Sequence, residues 1–215
     1  MPGAFFRRIA RVAVAALLLG FAAPTDEPFG LATAAAPESP LAETWQELQS
    51  QIKVEQPIIA QCRADPPSCR SAPAAQFIAI VAAGASYEGL ARIGHINRAA
   101  NLAIRALANG ALDAVAAQWT SSLATLAAGA GDCKQFVVLK YAALADAGFA
   151  PDDLRIVILQ PRARPESHAV VAVRADGRWL ILDNRSLALA ESSELLRQYA
   201  PLYSLDHRGA RLFIE

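Results

Sequence analysis

The sequence has no surplus of charge of either sign: 20 Lys and Arg stand against 20 Asp and Glu over 215 residues. Nucleic-acid binding needs a clustered basic surface, and this balance gives no reason to expect one. Beyond its first two dozen residues the chain lacks any apolar run long and uncharged enough to span a bilayer. No internal repeat appears, nor any low-complexity tract beyond alanine richness, and the length fits one domain or one domain with a helical extension. Glycine and proline, at 12 and 13, are at ordinary levels and exclude wholesale disorder. Histidine and cysteine are scarce, three of each. Apolar residues are not scarce: at 54% they supply ample material for a core.

The opening residues read as a targeting segment. Arg7, Arg8 and Arg11 precede the run VAVAALLLGFAA from Val12 to Ala23. That run matches the apolar centre of a signal peptide and is too short to cross a bilayer comfortably. The expected signal peptide is 1–23, with candidate cleavage sites at Gly20-Phe21-Ala22 and, later, in Ala32 to Ala36; an uncleaved anchor or a buried helix is the alternative. Export places the mature chain outside the cytoplasm, in the periplasm of a bacterium, which the Ala- and Arg-rich composition suggests. In an oxidising compartment two of three cysteines usually pair and the odd one is a candidate reactive thiol. Cys62 and Cys69 flank Arg-Ala-Asp-Pro-Pro-Ser, whose prolines favour a turn, so a Cys62–Cys69 disulfide is expected, with two free thiols as the alternative. Cys133 is left over.

Residues 24–38, with Pro24, Pro28 and Pro37 among alanines, read as a linker. The remainder, 39–215, reads as a single domain with a helical part over 39–110 and a catalytic core over 111–215. Ser39-Pro40 has the chemistry of a helix start, and Pro57 is expected to bend or end the helix that follows. Helical patterns recur from Pro73 and from about Ile93 to Leu107. The second half changes character. Gly131-Asp132 leads into a helix from Cys133 to about Ala147, closed by Gly148. Strands are expected at Leu154 to Leu159, His168 to Arg174 and Arg178 to Asp183, with the turn pair Asp176-Gly177 between the last two, and at Leu202 to Leu205 and Arg211 to Ile214. The fold class is α+β: N-terminal helices, then one helix packed on an antiparallel sheet.

Cys133 carries the chemistry. Phe136, Val137, Tyr141 and Leu144 follow it at offsets of three, four, eight and eleven, which puts the thiol on the face that packs on the sheet. It also lies in the first helical turn, where free N–H groups and the helix dipole favour a thiolate. A buried structural cysteine is the competing reading. His168, at the opening edge of a strand, is the candidate base; His95 and His207 read as surface or capping residues. Asp183 ends the next strand and is the candidate orienting acid through antiparallel pairing, with turn chemistry beside Asn184 as the alternative. Trp119 reads either as a wall of the substrate groove or as plain core.

Gly131-Asp132-Cys133, Leu154-Arg155-Ile156, His168-Ala169-Val170, Trp179 to Asn184 and Pro201 to Leu205 together resemble the bacterial transglutaminase-like cysteine peptidases, the LapG-like periplasmic proteases. The likeness extends upstream to Cys62–Cys69, Asn97, Asn101 and Trp119. It implies a papain-like mechanism on Cys133, His168 and Asp183. It also implies a protein substrate, a large surface adhesin whose cleavage affects biofilm attachment, and an inner-membrane receptor as regulator. Such proteases often carry acidic residues just after the nucleophile and a calcium ion beside the site. Here the following residues are Lys134 and Gln135, and a lysine repels a divalent cation. Asp132 is a calcium-ligand candidate, but Asp132 with Gln135 has the spacing of a capping box, so no cofactor is expected. The alternatives to proteolysis are acyl transfer or amidase action on a non-protein amide, and a non-catalytic binding module.

Overall fold

Helical periodicity in the first half and β-branched runs in the second translate into helices laid on one sheet. The computed structural model describes residues 27–107 and 119–214; the segment expected as a signal peptide lies outside them. Strand β1 (Ala32–Ala35) precedes helices α1 (Pro40–Ala64), α2 (Ala72–Ala82) and α3 (Gly89–Ala103). Strand β2 (Arg105–Ala106), helix α4 (Ser122–Ala128) and strand β3 (Ala130–Gly131) lead to helix α5 (Cys133–Asp146). Strands β4 (Leu154–Pro161), β5 (His168–Ala175), β6 (Arg178–Leu182) and β7 (Ala190–Glu191) follow, then helix α6 (Ser192–Leu195) and strands β8 (Tyr199–Asp206) and β9 (Gly209–Ile214).

Seven strands form one antiparallel sheet in the order β1-β9-β8-β4-β5-β6-β7, while β2 and β3 pair in parallel apart from it. Side chains alternate across the sheet, so its two faces build two clusters. On one face Ile156, Val171, Val173 and Leu182 pack with α5 and the other helices, including Trp45, Phe77, Ile93 and Leu139. On the other, Val157, Leu159, Val170 and Ile181 pack with Phe29 and the α6 residues. The parts read as helical (39–110) and catalytic (111–215) therefore share a hydrophobic core. Asp176 and Gly177, both at positive φ (51° and 72°), make the tight turn between β5 and β6.

Three details differ from the sequence reading. The segment expected as a linker is folded from Pro28: Ala32–Ala35 pairs with β9, and Glu27 forms an ion pair with Arg155 at 3.1 Å. An alanine-rich edge strand carries no apolar signature, because what holds it is the backbone ladder. Helix α1 does not end at Pro57 but continues to Ala64, and the missing N–H of Pro57 costs one hydrogen bond to Lys53. Trp45, Leu48, Ile59 and Cys62 are buried along the same face on both sides of that proline, and this packing outweighs the break. Helix α3 ends at Ala103, before the expected Leu107, and leaves Leu102 64% exposed. Cys62 and Cys69 are joined by a disulfide, as the proline-rich turn between them suggests.

Candidate active site

Helix α5 begins with reciprocal capping. Asp132 Oδ1 accepts from the Lys134 N–H at 2.9 Å, and the Asp132 N–H donates to Gln135 Oε1 at 2.9 Å. Gly131 makes room for this cap: a Cβ there would lie 2.5 Å from the Gln135 Cβ. The cap fixes Cys133 as the first helical residue, buried against the sheet and one wall of a groove of about 720 Å³. Leu41, Trp119, Ile158, Leu202 and Tyr203 line the groove with apolar surface, and Lys134, Glu166 and His168 add polar groups.

His168 opens β5 and is 1% exposed. Its Nε2 lies 2.9 Å from Asp183 Oδ1, which follows the end of β6. The ionised carboxylate accepts, so Nε2 carries the proton, and Nδ1 is left as a buried nitrogen without a hydrogen-bond partner. Burial is the largest influence on this imidazole and opposes its charge. The Asp183 hydrogen bond, the Cys133 thiol and the charges of both outweigh it and hold the His168 pKa above its ordinary value. At Asp183, burial favours the neutral acid. His168, the Arg185 N–H and the charge of Lys140 reverse that, and the pKa falls below the usual carboxylate value.

The loop carrying Asp183 is held from α3. Asn101 Nδ2 donates to the carbonyls of Asp183 and Ser186, both at 3.0 Å, and Asn97 Nδ2 donates to the Leu187 carbonyl at 3.3 Å. The two asparagines are four residues apart, on one helical face. The Arg185 N–H closes the turn onto Asp183 Oδ1 at 2.9 Å.

One residue of this neighbourhood escaped the sequence reading. Lys140 lies seven residues after Cys133 on the same face of α5, fully buried, with no hydrogen-bond partner for Nζ. The Phe136 ring centroid is 5.9 Å from Nζ. Burial pushes the Lys140 pKa down to about 7, against the pull of Asp183. The signal that could have found it is the apolar stripe itself, which the lysine interrupts at the offset where a core residue belongs.

Sequence expectations for the other groups meet varied outcomes. Trp119 is half-buried and lines the groove. His95 stacks on Tyr87 with ring centroids 3.8 Å apart, and His207 lies 3.8 Å from Asp152; neither lines the groove. Asp132 has both carboxylate oxygens engaged, Oδ1 by the cap and Oδ2 by the Lys134 ammonium at 2.7 Å. No group of three or more His, Cys, Asp or Glu is arranged to hold a metal ion among the described residues. Asp132, the calcium-ligand candidate of the sequence, is thus engaged by the helix cap and by Lys134.

Comparison with known proteins adds the family. The profile described as bacterial transglutaminase-like cysteine proteinase, BTLCP, matches residues 52–205. No curated protein matches. Among solved structures, LapG of Legionella pneumophila is 21% identical, with a TM-score of 0.48, covering 63% of this chain and 87% of that one. Its calcium-bound form gives 22% and 0.49 over the same shares, and its EGTA-treated form 21% and 0.49 over 63% and 84%. With its profile spanning α1 to β8, the chain belongs to the bacterial transglutaminase-like cysteine proteinases.

Proposed function

We propose that this cysteine peptidase is an endopeptidase working through Cys133, His168 and Asp183. The observation that carries the reading is the 2.9 Å contact of His168 with Asp183, which leaves the buried, unpartnered Nδ1 to deal with the thiol of Cys133. Nδ1 takes the thiol proton, and the thiolate attacks the carbonyl carbon of a peptide bond in the groove. The helix start supplies N–H groups that α5 does not use, that of Cys133 among them, to the oxyanion. Collapse forms a thioester and releases the amine, which takes the proton from His168. Water, deprotonated by the same imidazole, then hydrolyses the thioester. Asp183 keeps the ring in one tautomer and stabilises its charged form.

The chemistry in this reading needs no calcium. Support comes from Asp132, whose oxygens serve the helix cap and Lys134. The working site is the periplasm, the substrate a surface adhesin and the regulator an inner-membrane receptor, as the family resemblance implies. Export with cleavage near Gly20-Phe21-Ala22 suits the fold better than cleavage in Ala32 to Ala36, which would remove Glu27 and interrupt β1.

The test is cleavage of a proteome-derived peptide library and of a co-encoded adhesin, read by mass spectrometry, in the presence of EDTA. Wild type should cut and Cys133→Ala should lose at least about 10³-fold in rate with an unchanged unfolding midpoint. A fully active Cys133→Ala protein would end the reading, and loss of activity in EDTA restored by calcium would end its metal-independent part.

A further inference from the structure

Most arginines around the sheet have carboxylate partners. Arg63, Arg155, Arg174, Arg178, Arg208 and Arg211 each lie within ion-pair distance of an Asp or Glu. Arg162, Arg164, Arg185 and Arg197 have none among the described residues, yet they converge on one hollow of about 490 Å³. They reach it from three places: the β4–β5 turn, the loop after Asp183 and the stretch after α6. With Glu166 as the acidic residue of the lining, the hollow carries a formal charge of +3 in a chain whose total is zero.

The walls are built rather than loose. The Arg162 N–H continues the sheet ladder to the Gln198 carbonyl at 2.9 Å, and its Nε donates to the Leu196 carbonyl at 3.3 Å. Gln160 Nε2 ties down the Arg164 carbonyl at 2.6 Å. The hollow also adjoins the reacting groups. Glu166 lines both it and the groove of Cys133. Tyr199 lines it while its ring lies 6.1 Å from that of His168, and the Arg185 N–H is bound to Asp183.

A guanidinium is a planar fork of donors that fits a carboxylate with two parallel hydrogen bonds. Four of them without a carboxylate partner, held in a concavity that shares Glu166 with the groove, call for anionic groups supplied by the substrate. An extended polypeptide advances about 3.3–3.6 Å per residue, and a chain lying in the groove and running past Glu166 would meet the hollow. We propose that the hollow formed by Arg162, Arg164, Arg185 and Arg197 is a substrate subsite that takes acidic side chains flanking the scissile bond. It rests on the peptidase reading and names what the substrate carries.

The test separates the two by measuring binding and turnover apart. The full chain carrying Cys133→Ala is titrated with a fluorescein-labelled decapeptide of Ala and Ser bearing three Glu at one end, and with its Gln counterpart. The Glu peptide should bind at least about 10-fold more tightly, as charge-assisted contacts predict. Adding R164E/R197E should abolish that preference and confer one for a Lys version, while R164Q/R197Q should lose it without reversal. Both residues are exposed, and an unchanged unfolding midpoint shows that the variants fold. Equal affinities for the Glu and Gln peptides, or a preference that survives R164E/R197E, would overturn the subsite. Pyrophosphate binding where the Glu peptide does not bind would also overturn it, in favour of a phosphorylated ligand. In the library digest of the Cys133 enzyme, Asp and Glu should be enriched at a fixed distance from the cut and depleted with R164E/R197E. Cleavage without acidic enrichment counts against the subsite alone. A binding preference without any cleavage counts against the peptidase reading alone.

Discussion

Among the described residues, the buried charges around Arg155 and those around Asp183 are built to opposite standards. At one, Arg155 donates to both oxygens of Glu27 (3.1 and 3.3 Å) and to the carbonyls of Asp152 and Leu154 (2.9 and 3.0 Å). Ser204 adds a bond to Glu27, Asp206 takes the backbone N–H groups of Arg208 and Gly209, and the Trp179 ring covers the guanidinium at 5.2 Å. At the other, around Asp183, His168 Nδ1 and Lys140 Nζ are buried and have no hydrogen-bond partner. Buried polar groups are ordinarily satisfied, because an unmet one costs about 1–3 kcal/mol. The first cluster stitches Glu27 and β8 to β4. The second keeps open valences where the proposed mechanism moves a proton. Such local departures from complete pairing are expected at functional sites.

The largest effect that would sharpen this contrast is on turnover. On the proposed mechanism, His168→Ala should lower kcat/KM for a cleaved peptide by about 10³-fold or more, measured on variant protein shown by its urea midpoint to be folded at the assay conditions. Next, Arg155→Ala should leave thiol labelling of folded protein intact and cost about 3 kcal/mol in urea unfolding, because Glu27 and Asp206 lose their buried partner. A smaller loss, about 2 kcal/mol, is expected for the Cys62→Ser/Cys69→Ser pair, which lies outside both clusters and frees only a short loop. It serves as the reference for a purely structural change.

Lys140→Met breaks the comparison from the other side. The folded-state pKa of Lys140, about 7, lies below its ordinary value of 10.5. Between those values the unfolded chain binds the extra proton and the folded chain does not, so this group makes stability rise with pH. Its penalty is complete below pH 7 and fades as pH climbs through 10.5. Urea unfolding at pH 7 and pH 9 should therefore show wild type gaining about 2 kcal/mol relative to Lys140→Met over that interval. An identical pH dependence in the two proteins would place Lys140 among ordinary solvated lysines.

Much of the second half of the chain was legible because its signals are local. The offsets from Cys133 assign the buried face of α5, the β-branched runs mark β4 and β5, and Asp176-Gly177 forces the hairpin that brings the edge of β5 near the end of β6. What stayed hidden depends on partners remote in sequence. The pairing of β1 is written in the backbone of β9, not in Ala-Thr-Ala-Ala. The continuity of α1 through Pro57 comes from packing on either side of it. The arginine hollow exists only once residues from three separate segments meet.

The most direct measurement is the rate at which a thiol-directed electrophile labels Cys133 in folded, wild-type protein and in His168→Ala. If His168 takes the proton of the thiol, wild type labels rapidly and stoichiometrically, and the variant is slower by about 10²-fold at neutral pH. Equal labelling rates in two proteins of equal stability would contradict the assignment of His168 as the base.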